Sequence, residues 1–169
     1  MKRIVKLPLR LKAIAGLIGY GACVADIGTD HGLLPVYLAQ NGLAKRIIAS
    51  DMSAGSLEAA RRSAAKYDVT GKIEFIVAPG LEGVNETDVD TIVIAGVGGE
   101  TMIDILKDAL WTKQHGKRLI LQPQTKRNEL THWLCENGYI IKDTITTSDR
   151  GRNYAIMLVE RENDDAGCK

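Results

Sequence analysis

The sequence predicts an α/β chain built on an open, mostly parallel sheet that finishes in a reversed hairpin. Three observations predict it. Short apolar runs with little alternation recur at 23–25, 46–51, 73–77, 91–95 and 117–122, the pattern of strands buried on both faces. Helical stretches with capping residues separate most of them, so these strands are joined by helical crossovers. The β-rich runs 139–147 and 154–160 are joined by Ser148-Asp149-Arg150-Gly151-Arg152-Asn153, a turn-forming composition that implies an antiparallel pair. With 169 residues, one domain over 1–160 and a polar tail over 161–169 are expected.

Composition narrows the function classes. Lys plus Arg number 22 against 21 Asp plus Glu, a net charge of +1. A global basic field is excluded, and nucleic-acid binding requires a local patch. Cys23, Cys135 and Cys168 are far apart and form no C-x-x-C pair; they read as two core thiols and a tail thiol in a reducing compartment. No apolar run is long enough for a membrane span and no signal-peptide pattern opens the chain, so a cytoplasmic protein with no membrane partner is expected. The sequence carries no signal for an oligomeric state.

Residues 1–19 hold Lys2, Arg3, Lys6, Arg10 and Lys12 and no acid, with Leu7, Leu11, Ile14, Leu17 and Ile18 at helical spacing. A basic amphipathic helix over 7–19 is expected to lie against the sheet. Its cationic side reads either as a solvated face or as a local phosphate-binding patch. The first strand then runs into Asp26-Ile27-Gly28-Thr29-Asp30-His31-Gly32 before a helix over 33–41. Glycine admits positive φ and lets a ligand approach the backbone. Strand, glycine turn and helix start form a nucleotide-type pocket at the carboxyl edge of the sheet. The spacing departs from G-x-G-x-x-G, and a carboxylate before the first glycine repels a pyrophosphate. It suits a ligand with a cationic end, an ammonium or a sulfonium.

The second strand ends on Asp51, where a carboxylate accepts ribose hydroxyls, and Met52 beside it can lie flat on a purine. Ser53 is the expected N-cap of a helix over 54–67, with Leu57, Ala60 and Ala64 inward. After the third strand comes Ala78-Pro79-Gly80, where Pro79 removes a backbone donor. The fourth strand runs into Ala95-Gly96-Val97-Gly98-Gly99, and three glycines in four positions imply a ligand-facing loop ahead of a helix over 100–110. The fifth strand closes on Gln122-Pro123-Gln124, followed by a helix over 128–137. Trp111 and Trp133 read as core anchors. His115 and His132 lack partners at ligand spacing, so no metal is expected.

The Asp26 to Gly32 stretch is similar to motif I of the class I S-adenosylmethionine (SAM) methyltransferases. Asp-His-Gly-Leu-Leu-Pro at 30–35, Ala95-Gly96-Val97-Gly98-Gly99, Gln122-Pro123-Gln124 and Leu7-Pro8-Leu9-Arg10-Leu11 together resemble the bacterial tRNA (adenine-N1)-methyltransferases that act on position 22. The resemblance implies a Rossmann-like methyltransferase fold with SAM as methyl donor and tRNA as partner. It implies a SAM site drawn from Asp26, Gly28, Thr29, His31, Gly32, Asp51, Met52, Pro79, Gly80, Ala95, Gly96, Val97 and Gly98. Arg10, with Lys6 and Lys12, would face tRNA. Gln122 and Gln124 would read the N6 amine of the target base, and Asp30 would stabilise the charge developing on it. His31 would make a loop hydrogen bond or contact the SAM carboxylate. Two positions depart from the family: Pro79 stands where an Asp accepts from the adenine amine, and Gln124 where an Asn stands. The family's C-terminal coiled-coil extension is expected to be absent. A catalytically weak SAM- or RNA-binding relative, and a small-molecule methyltransferase, are the alternatives.

Overall fold

The computed structural model describes residues 1–163. Strands and helices follow in the order α1 (Leu9–Leu17), β1 (Ala22–Ile27), α2 (Leu33–Gln40), β2 (Ala44–Asp51), α3 (Ala54–Lys66), β3 (Glu74–Val77), β4 (Thr91–Val97), α4 (Gly99–Asp108), β5 (Arg118–Pro123), α5 (Arg127–Glu136), β6 (Tyr139–Asp149) and β7 (Arg152–Arg161). The strands form one sheet in the order β3-β2-β1-β4-β5-β7-β6. The first five are parallel, and β7 reverses against β5 and β6. This is the expected Rossmann-like methyltransferase sheet. The order turns back at β1, which pairs with β2 on one side and β4 on the other. Such a switch point leaves a crevice at the strands' carboxyl ends.

Both faces of the sheet are covered, and so both side-chain parities of its central strands are apolar. Ile92, Ile94, Leu119 and Leu121 join a cluster with Met102 and Leu106 of α4 and Leu130 and Leu134 of α5. Val24, Ile47, Val93, Ile120 and Ile156 join the opposite cluster with Ile14 of α1 and Leu34 and Leu38 of α2. Burying each of these side chains stabilises the fold by about 1.5–3 kcal/mol. Trp111 and Trp133 pack on the first cluster, as expected of anchors.

Capping explains where the helices begin. Ser53 accepts a hydrogen bond from the Ser56 backbone N–H at 3.2 Å, and Leu57, Ala60 and Ala64 of α3 are buried. Ser53→Ala is expected to lower stability by about 1 kcal/mol, read as a shifted urea midpoint with an unchanged slope.

The structure corrects several expectations. The first helix is shorter than 7–19 because Pro8 starts it, and it packs on β6, β7 and α2; Leu9 stays 55% exposed. Leu110 lies in a separate 3-10 turn beyond α4. The hairpin turn is much tighter than 148–153: the ladder closes at Asp149↔Arg152, and Arg150 (φ 50°) and Gly151 (φ 75°) alone make the bend, as right-handed strand twist favours. Cys135 is exposed and Cys23 only half-buried, so neither is a core thiol. Cys168 lies outside the described residues, as does most of the expected tail. No helix among the described residues is long and apolar enough to cross a membrane.

Candidate active site

A cleft of about 570 Å³ opens at the switch point. β1 carries Asp26 to its floor, where the residue is 6% exposed. Gly28 follows at φ 71°, with open space where a Cβ would stand. The turn is pinned to the neighbouring strand: the N–H groups of Gly28 and Thr29 both donate to the Ser50 carbonyl, at 2.8 and 3.0 Å. The Thr29 hydroxyl donates to Asp26 Oδ2 at 2.8 Å. Burial pushes the Asp26 carboxyl up to about 7; the Thr29 hydroxyl and the Arg10 charge pull it down, and Asp51 adds to the rise. A buried carboxylate left half-ionised at neutral pH is complementary to a cation and costly without one.

Asp51 joins this turn to the next. Its Oδ2 accepts from the Asp30 N–H at 3.1 Å and its Oδ1 from the Ser53 N–H at 2.9 Å. Both oxygens are thereby oriented and keep a free lone pair for a diol. Met52, 75% exposed, stands at the rim. Opposite, Gly96 at φ 78° faces Arg10 and Gln124; a Cβ there would lie 3.7 Å from Arg10 Nη1 and 4.0 Å from Gln124 Nε2. A buried cation-seeking carboxylate, an oriented ribose acceptor and glycine backbone on two walls fit a SAM-type ligand.

Comparison with known proteins agrees. The sequence matches the methyltransferase domain family over residues 7–157. It is 34% identical over 165 residues to the tRNA (adenine(22)-N(1))-methyltransferase of Bacillus subtilis, covering 96% of this chain and 68% of that protein. The chain belongs to this family. The crystal structure of that B. subtilis enzyme superposes with a TM-score of 0.88 at 33% identity, covering 96% of this chain and 69% of the other. Sp1610 of Streptococcus pneumoniae, solved in complex with S-adenosyl-L-methionine, gives 0.88 at 33% identity over 94% and 74% of the two chains. TrmK of M. capricolum with S-adenosyl-homocysteine gives 0.81 at 30% identity over 94% and 71%.

Most residues expected in the family's site meet in the cleft. Arg10, Asp26, Gly28, Thr29, Asp30, His31, Asp51, Met52, Gly80, Ala95, Gly96, Val97 and Gln124 all line it. Others lie elsewhere, each for a structural reason. Gly32 (φ 68°) is required by helix packing, since its Cβ would stand 2.8 Å from Ala60 Cβ. Gly98 faces Thr125, and Gly99 abuts the Lys126 carbonyl, where a Cβ would come within 2.5 Å. The glycine loop therefore offers one ligand-facing position, Gly96, and the next two glycines seat the β5–α5 loop. Pro79 points to solvent and leaves Ala78 and Gly80 on the cleft wall. Lys6 and Lys12 are exposed outside the lining.

Gln122 is the main correction. It is 1% exposed; its Oε1 accepts from Arg10 Nη1 at 3.0 Å and its Nε2 donates to the Pro123 carbonyl at 3.3 Å. Both ends of the amide are engaged, so Gln122 orients Arg10 and is unavailable to a base. Arg10 is held on its other side by the Tyr154 ring, 5.6 Å from the guanidinium carbon. Sequence reasoning also missed Ser56, Thr101 and Ile105, which line the cleft. Thr101 and Ile105 sit four apart on α4, a spacing that puts both on one face. That face meets the ligand only because β4 adjoins β1.

Proposed function

We propose that this chain transfers a methyl group from SAM to N1 of an unpaired adenine in tRNA, at position 22 as in its curated relative, in the cytoplasm. The observation that carries the proposal is the buried Asp26 carboxylate beneath a glycine-walled cleft whose mouth is flanked by Arg10 and Gln124. Bound SAM supplies an electrophilic methyl on a cationic sulfur. The adenine N1 lone pair forms the new bond as the sulfur–methyl bond breaks, and positive charge passes from sulfur to the base. No proton leaves in that step, so no general base is assigned and His31 is not given that role.

The residues act by holding and aligning. Asp26 carries the charge that retains the cation, and Asp51 takes the ribose diol. Met52 covers the purine. Near-attack alignment of this kind contributes on the order of 7–11 kcal/mol. N1 lies on the Watson–Crick edge, so the target enters unstacked. The Gln124 amide, at the mouth, is placed to pair with the N6 side of that edge. Asp30, held at φ 54° and exposed on the cleft wall, faces the developing charge. Pro79 does not argue for a silent relative, because it lies outside the lining and leaves the backbone of Ala78 and Gly80 to meet the cofactor's base.

Incubation with labelled SAM and bulk tRNA, followed by nucleoside analysis, tests the proposal. A single labelled product, 1-methyladenosine, is expected. SAM binding without incorporation would instead identify a silent relative, and label in a small-molecule fraction would identify a metabolite methyltransferase.

A further inference from the structure

The β6–β7 hairpin is longer than the sheet requires. β7 pairs with β5 as far as Leu121↔Met157. The β6–β7 ladder continues for five more pairs past Met157, to Asp149↔Arg152, whereas β5 ends two residues after Leu121, at Pro123. At about 3.3 Å per residue the tip stands about 10 Å beyond the end of β5. It projects from the carboxyl edge, the edge on which the cleft opens.

Cross-strand partners share a face of a ribbon and successive pairs alternate. One face therefore carries Ile145 with Ile156, Thr147 with Tyr154, and Asp149 with Arg152. Ile156 is buried in the cluster that includes Ile14 of α1. Tyr154 lies under Arg10 at the cleft. Arg152 comes next, exposed, and Arg150 follows at the bend, also exposed. The face thus runs from the core, past the cleft mouth, to a pair of arginines in solvent. Among the described residues neither arginine is in an ion pair, and Asp149 leaves the bend with a net charge of +1 over 149–152. A two-stranded ribbon without a packing partner is marginal in water, so the extension does nothing for the stability of the sheet.

We infer that the outer half of the β6–β7 hairpin, tipped by Arg150 and Arg152, is a phosphate-contacting finger that holds the RNA substrate across the cleft mouth in line with Arg10. The inference rests on the RNA reading proposed above. An unstacked base enters the cleft while its flanking phosphates remain outside, and guanidinium forks suit phosphate oxygens. Arg10 is already oriented by Gln122 and Tyr154, and the finger extends that cationic line outward.

The test measures binding of bulk tRNA to the full chain by fluorescence anisotropy at several salt concentrations, with methylation assayed in parallel. Arg150→Ala/Arg152→Ala is expected to weaken binding about tenfold and to lower the slope of log affinity against log salt by about 1–2. Arg150→Lys/Arg152→Lys is expected to keep most of the slope, and calorimetric SAM affinity to stay at the wild-type value in both variants. Wild-type affinity and slope in the alanine variant would overturn the finger, as would absence of tRNA binding by the wild-type chain. Hairpin-dependent binding without 1-methyladenosine would support the finger and refute methylation. Normal methylation with unaltered binding in the alanine variant would refute the finger alone.

Discussion

Replacing Asp26 by Asn is expected to weaken SAM binding about 30–150-fold and, at the same time, to stabilise the ligand-free protein above neutral pH. The first effect follows from leaving the ligand's positive charge without its buried counter-charge, a loss of about 2–3 kcal/mol. The second follows from linkage. The Asp26 carboxyl is raised by burial from 3.8 to about 7 in the folded chain. Below about pH 4 it is protonated in both folded and unfolded states and favours neither. Between about 4 and 7 the unfolded chain ionises while the folded chain keeps its proton, so stability falls as pH rises. Above about 7 both are ionised and the full penalty applies, up to about 4 kcal/mol. Asn carries no charge and escapes it. Urea denaturation of both proteins at pH 4, 6 and 8 should show a stability difference that grows with pH in favour of the variant. Calorimetry should show SAM binding to the wild type tightening from pH 6 to 8, with that trend lost in the variant. A wild type and variant with parallel stability profiles would mean that Asp26 is not held in a desolvated position.

That trade-off also explains which parts of the site were legible in the sequence. Asp26 and Asp51 each end an apolar run, and an acid at the carboxyl end of a buried strand is conspicuous because little else in such a strand is polar. The switch point then brings the two strand ends together, and the Asp30 N–H to Asp51 contact is a direct consequence. Gln122 and Gln124 could not be told apart in this way. Their roles depend on where β5 stops. Gln122 shares the parity of Ile120, so it points inward beneath α1 and meets Arg10, while Gln124 lies past the strand end and reaches the cleft. The glycines show the same limit: Gly28 and Gly96 serve the cleft, whereas Gly32, Gly98 and Gly99 answer to neighbours from distant sequence. Local pattern records that backbone must be approached closely there, but not what approaches it. The hairpin's two-residue bend was hidden by its flanks, because Ser148 and Asn153 look like turn residues and are in fact ladder partners.

Gly32→Val is expected to destabilise the protein by about 2–5 kcal/mol. Gly32 caps α2 at φ 68° and ψ 24°, and its N–H donates to the Thr29 carbonyl at 2.9 Å. Placing an L side chain in this left-handed region costs about 1–2 kcal/mol. The added Cβ would meet Ala60 Cβ at 2.8 Å and Ala60 Cα at 3.1 Å, and the second contact is with helix backbone that cannot rotate away. Forcing α2 and α3 apart costs a further 1–3 kcal/mol or so. Ala60→Gly separates the two contributions: on its own it costs about 1 kcal/mol as a mid-helix glycine, but in the Gly32→Val background it removes the Cβ clash and leaves the backbone strain. The double variant should therefore be more stable than the sum of the singles by about 1–2 kcal/mol, measured by urea denaturation as a double-mutant cycle. SAM binding should fall in Gly32→Val as well, because Gly32 closes the turn that holds Asp26, Thr29 and Asp30 in register with Asp51. A Gly32→Val variant within about 0.5 kcal/mol of the wild type would show that α2 and α3 do not approach as closely as this packing requires, and the turn's geometry would then need a different cause.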